Sequence, residues 1–183
     1  MSDAEPTVTL RAPLTAEAVD TLRAGTRVRI SGTIYTARDA AHKRLCAALA
    51  AGEALPVDLT GQLLYYVGPS PAPPGRIIGS AGPTTSARMD PYTPELIARS
   101  GLRAMVGKGP RGPAVIDAMR AHGCVYLAAT GGAAALLAEC IDYADVVAYE
   151  DLGPEAIHRL EVNDFPAIVA IDSSGNSLYR ATG

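Results

Sequence analysis

The sequence predicts an α/β protein in which a mixed sheet or a compact barrel has helices packed on its outside. Short apolar stretches rich in β-branched residues alternate along the chain with stretches of helical periodicity. Apolar residues make up 48% of the 183 residues, which is enough for a packed core. We therefore expect a single domain over residues 1–183, with its core at about 10–180 and an extended arm at 1–13. The order of the strands cannot be read from these patterns.

The first part of the chain predicts two helices, two strands and a loop. Residues 14–25 have helical apolar spacing, a capping threonine and a final glycine. Residues 26–37 alternate β-branched and polar residues, which predicts a strand, and a Ser-Gly pair within it indicates a bulge. Residues 38–53 predict a second helix, and the LLYYV stretch a second strand. The prolines of 69–74 predict a turn or a rigid surface loop, because proline cannot donate to a sheet.

The middle of the chain continues the alternation. Residues 91–101 predict a helix that ends at a glycine, and 104–109 a short buried strand that runs into a glycine loop. A helix at 112–123 and a nearly continuous apolar strand at 124–130 follow. Residues 131–141 then predict a helix that starts from a Gly-Gly turn.

The last part predicts a strand and turn in DVVAYEDLG, a short helix, a strand at 167–171 and a final strand after the SSGN turn.

Composition and charge exclude several classes of protein. The net charge is −3, and the chain has one phenylalanine and no tryptophan, which disfavours a nucleic-acid-binding surface. No apolar run reaches the roughly 18 residues that a membrane helix needs, and no signal-peptide core is present, so we expect a cytoplasmic protein with no membrane partner. The odd number of cysteines, at wide spacings, indicates neither disulfides nor a zinc site.

The segment GPTTSARMD, residues 82–90, has the pattern of an anion-binding corner. If a helical turn begins here, Thr84 or Thr85 can cap it, and Thr84 and Arg88 lie four residues apart on one face. Free N–H groups and an arginine would favour a bound anion, and would also favour the alkoxide form of a hydroxyl held beside them. The alternative is that a threonine only caps the helix while Arg88 is solvated.

Three further turns carry cations or glycines. Arg38 stands where a predicted strand meets a helix, and Lys108 stands between two glycines after another strand. TGGAAALL, residues 130–137, is a further possible anion cradle. Each turn also has a simpler interpretation as a solvated charge or a tight connection. Taken together, Arg38, Arg88 and Lys108 all follow predicted strands, which suggests a site for a small polyanion such as a dicarboxylate.

The histidines and cysteines offer little chemistry. His42, His122 and His158 lie in or at the ends of predicted helices, far apart in sequence, and no nucleophile and base can be paired. We interpret the cysteines as small core residues rather than metal ligands.

Several of these motifs together resemble one family. SGTIYTARDAAHKRL, GRIIGSAGPTTSARMDPYTPELI, MVGKGPRG, HGCVYLAATGGAAALLAECI and YEDLGPEAIHRLEVNDFPAIVAIDSSGNSLY resemble the β subunit, equivalently the C-terminal domain, of class I iron–sulfur fumarate hydratases and L(+)-tartrate dehydratases. The resemblance covers roughly residues 10–180. It implies a swivelling β/β/α domain whose active site is completed by an α subunit, in an α₂β₂ assembly. It also implies that three cysteines of the α subunit hold a [4Fe–4S] cluster, with no metal ligand in this chain.

The resemblance also implies roles for four residues. Thr84 matches the family's catalytic base, while Arg38, Arg88 and Lys108 match the residues that hold the substrate carboxylates and favour the threonine alkoxide. Thr84 and Arg88 are therefore the expected catalytic residues, and the three cations the expected substrate-binding residues. The expected reaction is reversible dehydration of a 2-hydroxy dicarboxylate.

Three questions stay open at this point: the substrate, the meaning of one motif departure, and an alternative function. Malate, L-tartrate and methylated relatives such as citramalate are competing substrates, because a pocket often discriminates single groups by only ~1–3 kcal/mol. The motif also continues as Ser86-Ala87, where the family more often has Ala-Gly. The alternative function is a catalytically inactive anion-binding or assembly module.

Overall fold

The computed structural model describes residues 6–129 and 134–179. Within them the strands are β1 Val8–Ala12, β2 Arg27–Thr36, β3 Leu63–Tyr65, β4 Ala104–Gly107, β5 Val125–Ala129, β6 Ile141–Ala148 and β7 Ile157–Ile171. The α-helices are α1 Ala16–Thr21, α2 Asp39–Ala50, α3 Thr93–Ser100, α4 Pro113–His122 and α5 Ala134–Glu139. Two 3₁₀ segments lie at Ser86–Met89 and Glu150–Glu155.

Five strands close into a barrel. Strands β2, β3, β4 and β5 are parallel neighbours, and β7 runs antiparallel to both β5 and β2, which joins the two ends of the row. β2 and β7 are long enough to take two partners each along one edge. β2 pairs with β1 and then with β3, and β7 pairs with β6 and then with β5. The expected α/β architecture, a mixed sheet or compact barrel with helices outside, is confirmed, and the sheet is closed as a barrel.

Apolar side chains form two clusters on the two faces of the closed sheet. Alternate residues of β3 divide between them, since successive side chains of a strand point to opposite faces. Leu63 and Tyr65 join a cluster with Ile30, Val106 and Phe165. Leu64 joins a second cluster, in which the outer face of the sheet packs against α2, α3 and α4. Both faces of the central strands are therefore buried, which explains their continuous apolar sequences.

Most predicted elements are confirmed. Thr15 caps α1 with its side chain, Gly101 and Gly123 end α3 and α4 in the left-handed conformation, and β2 has its register shift between Ile30 and Gly32. The proline-rich segment is a loop, as expected, and hydrogen bonds from Gly79 and Ser80 back to Ser70 close it. None of the helices in the described ranges is long and apolar enough to cross a bilayer.

Three predictions differ from the structure. The extended arm is a strand over Val8–Ala12, because its alternate residues are buried against α1 and the sheet. The strand expected at 167–171 extends back to Ile157, so His158 lies in a strand rather than at a helix end. The final strand is reduced to a single bridge between Ile171 and Ser177 in the described region.

Candidate active site

The carboxyl ends of β2, β3 and β4 bring the candidate residues to one edge of the barrel. These strands are parallel neighbours, so the segments that leave them start side by side. Arg38 follows β2 and precedes α2, and Lys108 follows β4. The chain from Thr84 to Ser86 lies between the two. The prediction that Arg38 stands at a strand-to-helix junction is therefore confirmed.

The Thr84 segment is held in extended form rather than as a helix. The N–H of Thr84 donates to the carbonyl of Tyr66 at 2.7 Å, and Thr85 forms a parallel bridge with Lys108. Only at Ser86 does a four-residue 3₁₀ helix begin. The prediction that Thr84 and Arg88 share one face of a helix is wrong, because the main chain of Thr84 is already engaged with the end of β3.

The prediction of a threonine N-cap is also wrong. Thr85 occupies the capping position of the 3₁₀ helix, but its side chain makes no capping hydrogen bond. The segment is fixed by main-chain bonds to the barrel strands instead. Thr84 itself is half-buried at the edge of the barrel.

Arg88 is tied to the beginning of α2. Its Nε and one terminal nitrogen donate to the same carboxylate oxygen of Asp39, at 2.9 and 2.8 Å. The Arg88 side chain is half exposed, and Asp39 directly follows Arg38. This ion pair therefore joins the Thr84 segment to the Arg38 segment.

Arg38 lies against the main chain that leaves β3. A Cβ added at Gly68 would lie 2.9 Å from an Arg38 terminal nitrogen, so the glycine leaves the space that the guanidinium occupies. The Nε of Arg38 is 3.9 Å from Glu155, too far for a hydrogen bond. That Nε is buried and has no hydrogen-bond partner among the described residues. Because a buried charged donor without a partner is costly, Arg38 is well suited to donate to an anionic ligand.

Lys108 presents an exposed cation from a tightly held main chain. Its side chain is exposed, whereas its carbonyl accepts from the N–H of Ser86 at 2.9 Å and its own N–H donates to Ser86 Oγ at 3.1 Å. The site edge thus combines three cationic side chains, one threonine and two carboxylates. The geometry suits binding of a small anion with more than one negative group.

Beneath this edge lies a buried polar network that the sequence did not predict. Arg111 has a fully buried side chain that donates to Asp90 at 2.7 Å and to Thr93 at 3.1 Å. Its guanidinium also lies over the rings of Tyr66 and Tyr126. Asp90 ends the motif GPTTSARMD, and Arg111 lies in the motif KGPRG. An acid in one motif and a base in the other were the sequence signal that could have predicted this ion pair.

His42 completes the support under Arg38. Its Nδ1 lies 2.8 Å from the Arg38 carbonyl, and its ring meets Tyr66 edge to face. Burial lowers the pKa of His42 from 6.5 to about 4, so the ring is neutral at neutral pH. The helix position of His42 was predicted, but not its place behind the arginine.

The described residues do not provide a metal-binding set. Among residues 6–129 and 134–179, no group of three His, Cys, Asp or Glu side chains could hold a metal ion. The three cysteines are free thiols that lie far apart in sequence, and burial raises the pKa of Cys124 to about 12. They do not fit the ligation of an iron–sulfur cluster, which requires thiolates close together. The possible anion cradle at 130–137 begins outside the described residues, which exclude 130–133.

Comparison with known proteins decides the family. The sequence profile described as Fumarase C-terminus matches residues 1–182. The chain belongs to this family. Membership confirms the resemblance seen in the motifs. The matched residues include the whole candidate site.

Relatives of the fumarase C-terminal family carry two kinds of name. A putative class I fumarate hydratase of Geobacillus stearothermophilus is 44% identical over 94% of this chain and 34% of its own length. The aerobic class I fumarate hydratase of Escherichia coli is 43% identical over 85% of this chain and 28% of its own. A putative L(+)-tartrate dehydratase β subunit of Methanocaldococcus jannaschii is 44% identical over 91% of this chain and 88% of its own.

The two kinds of relative differ in how much of their own length this chain matches. The chain spans about a third of the length of the fumarate hydratases and most of the length of the tartrate dehydratase β subunit. Both names denote enzymes that add or remove water. These relatives therefore include both long chains and a separate subunit built on the domain.

Proposed function

We propose that this chain is the β component of an iron–sulfur hydro-lyase that reversibly dehydrates a 2-hydroxy dicarboxylate, with Thr84 as the base. The observation that carries the proposal is the arrangement of Arg38, Thr84, Arg88 and Lys108 around the carboxyl ends of three parallel strands. The names of the relatives support the same class of reaction.

Three cations suit a substrate with two carboxylates. The three cations Arg38, Arg88 and Lys108 exceed the two carboxylates of Asp39 and Glu155 by one formal charge, so this edge attracts an anion. The planar guanidinium groups bind carboxylates through two parallel hydrogen bonds, whereas Lys108 acts as a point charge. Arg38 gains most from such a ligand, because its buried Nε has no partner among the described residues.

Thr84 removes the proton from the carbon next to one carboxylate. A free hydroxyl is far too weak a base at neutral pH, so its alkoxide form must be stabilised by positive charge. The side-chain cations supply this stabilisation, because the 3₁₀ helix begins only at Ser86, whose N–H already donates to the Lys108 carbonyl. The electron pair left on carbon forms the double bond as the hydroxyl leaves with a proton from an acid of the partner. The products are water and the unsaturated diacid.

The same proposal assigns the [4Fe–4S] cluster to an α subunit. The described part of this chain has no ligand set that fits a cluster, and the long relatives have about two thirds of their length beyond the matched region. The assembly is α₂β₂, with this chain contributing the base and the carboxylate clamps. Malate and L-tartrate are the leading substrates, since the relatives are named for fumarate and tartrate.

The test is an assay of the reconstituted complex. The chain is co-expressed with the cluster-bearing subunit from the same genome and purified without oxygen. The complex is then offered malate, L-tartrate and citramalate, and the unsaturated or oxo diacid product is followed by absorbance. Activity on one diacid supports the proposal and identifies the substrate. An intact cluster in a formed complex with no activity on any diacid favours the binding-module alternative.

A further inference from the structure

We infer that Ser86 is a positioning residue that fixes Lys108 relative to Thr84, through a chain of hydrogen bonds that ends on Tyr126. The inference deepens the proposed function and rests on it for the roles of Thr84 and Lys108. It concerns the residue at which the chain departs from the family's usual motif.

Ser86 connects the two functional segments through both its main chain and its side chain. Its N–H donates to the Lys108 carbonyl at 2.9 Å, and its Oγ accepts from the Lys108 N–H at 3.1 Å. Both hydrogen-bonding groups of the Lys108 main chain are thereby held by one residue. Thr84 lies two positions earlier on the same extended segment, so its place relative to Lys108 depends on this connection.

The Ser86 hydroxyl continues to a buried tyrosine. Ser86 Oγ and the Gly109 carbonyl each lie 2.8 Å from the phenol oxygen of Tyr126. The carbonyl can only accept, so the single phenol proton is donated to Gly109. The hydroxyl of Ser86 then donates to the phenol oxygen of Tyr126. The chain therefore runs from the Lys108 N–H to Ser86, from Ser86 to Tyr126, and from Tyr126 to the Gly109 carbonyl, with one acceptor for each donor. Burial raises the pKa of Tyr126, so the phenol keeps its proton at neutral pH.

Packing leaves the hydroxyl one position. Ser86 is fully buried, and a Cβ added at Gly107 would overlap its Oγ. Gly107, directly before Lys108, therefore leaves the space that the Ser86 hydroxyl occupies. Because Ser86 is buried within the chain, it acts on the reaction through Lys108 and Thr84 rather than through contact with substrate. The exposed neighbour Ala87 makes no such link.

The experiment compares Ser86→Ala, Tyr126→Phe and the double variant in the reconstituted complex. Each single substitution removes one hydroxyl of the chain and little volume. We expect kcat to fall by about tenfold to a hundredfold, because a small misplacement of a catalytic group has an effect of this size. The acid limb of the kcat profile moves to higher pH, because a less well placed Lys108 stabilises the Thr84 alkoxide less. The double variant loses less than the product of the two single losses, since both act on one chain of bonds.

A second readout does not depend on activity. Hydrogen exchange of the Lys108 amide is measured in the same complexes, and at least a tenfold faster exchange is expected in Ser86→Ala. Ser100→Ala is the matched control, since it removes a half-buried serine hydroxyl that donates to the Leu96 carbonyl on α3. We expect the control to keep the wild-type pH profile and Lys108 exchange.

The outcomes separate this inference from the proposed function. Wild-type pH profile and wild-type Lys108 exchange in Ser86→Ala overturn the inference. If Ser86→Ala does not fold, Tyr126→Phe decides in the same way. A wild-type complex without hydro-lyase activity contradicts the proposed function, while the exchange measurement still tests whether Ser86 holds Lys108.

Discussion

Arg88 donates from two nitrogens to a single carboxylate oxygen of Asp39, at 2.9 and 2.8 Å. The two residues are 49 positions apart in sequence, and Asp39 is the first residue of α2. The pair occupies one edge of the guanidinium, and within residues 6–129 and 134–179 the other edge stays available to a ligand. It also couples Arg88 to the segment that carries Arg38, so the two arginines are positioned together.

Replacing Asp39 with asparagine should weaken substrate binding more than folding. The substitution removes the charge that orients Arg88, and we expect KM to rise about five- to tenfold with a smaller change in kcat. The free energy of unfolding should change by less than about 1 kcal/mol, because the pair is partly exposed. Steady-state kinetics and urea unfolding measure the two effects.

Glu95→Gln is the matched control, since it removes a partly exposed carboxylate that pairs with Arg99 on α3. It should leave both KM and stability unchanged. An unchanged KM in Asp39→Asn would show that Arg88 does not need this partner.

Replacing Gly68 with alanine should displace Arg38. The new methyl group would lie 2.9 Å from one guanidinium nitrogen and 3.0 Å from Cδ, closer than side-chain atoms tolerate. We expect KM to rise about tenfold while the barrel remains folded. In an Arg38→Ala background the same change should have no further effect, because the clash is gone. An equal effect in both backgrounds would contradict this explanation.

Breaking the buried pair of Arg111 and Asp90 should be costly. Asp90→Ala leaves a buried guanidinium without its charge partner and leaves the Gly112 N–H without its acceptor at 2.6 Å. We expect a loss of about 3–5 kcal/mol in the free energy of unfolding. Asp117→Ala removes an exposed carboxylate 3.5 Å from Arg120 and should cost less than about 1 kcal/mol. Equal losses in the two variants would contradict the structural role of the buried pair.

Stability should fall in mildly acidic solution because of His42. The unfolded chain takes up a proton at this histidine near pH 6.5, whereas the folded chain does so only near pH 4. The stabilising effect of neutral His42 is thus complete above pH 6.5 and is lost as the pH falls towards 4, by up to about 3 kcal/mol. His42→Gln should show a smaller slope of unfolding free energy between these pH values. Parallel pH profiles of wild type and variant would contradict the assignment.

Local patterns predicted the helices and the central strands because periodicity and terminal glycines are local properties. They could not decide between an open sheet and a closed barrel, since the lengths of β2 and β7 depend on partners far away in sequence. The SSGN turn, for example, predicts a hairpin with a final strand, yet Asp172 accepts hydrogen bonds from Ser174 and Asn176 and holds the turn as a local loop.

The candidate site was predicted residue by residue but not as a geometry. Motif spacing pointed to Thr84, Arg38, Arg88 and Lys108, and the structure shows how their segments meet. The helical interpretation of GPTTSAR failed because main-chain bonds to Tyr66 and Lys108 compete with helix formation there. The buried roles of Arg111 and Ser86 could not be predicted, because arginine and serine are mostly exposed in folded proteins.

The most direct test of the account is turnover by Thr84→Ala and Thr84→Ser in the reconstituted complex. Thr84→Ala should retain substrate binding but lose about 10²- to 10⁴-fold in kcat, because the base is gone. Thr84→Ser keeps a hydroxyl at the same position and should recover a large part of the activity. Wild-type turnover in Thr84→Ala, with the cluster intact and the complex formed, would contradict the assignment of Thr84 as the base.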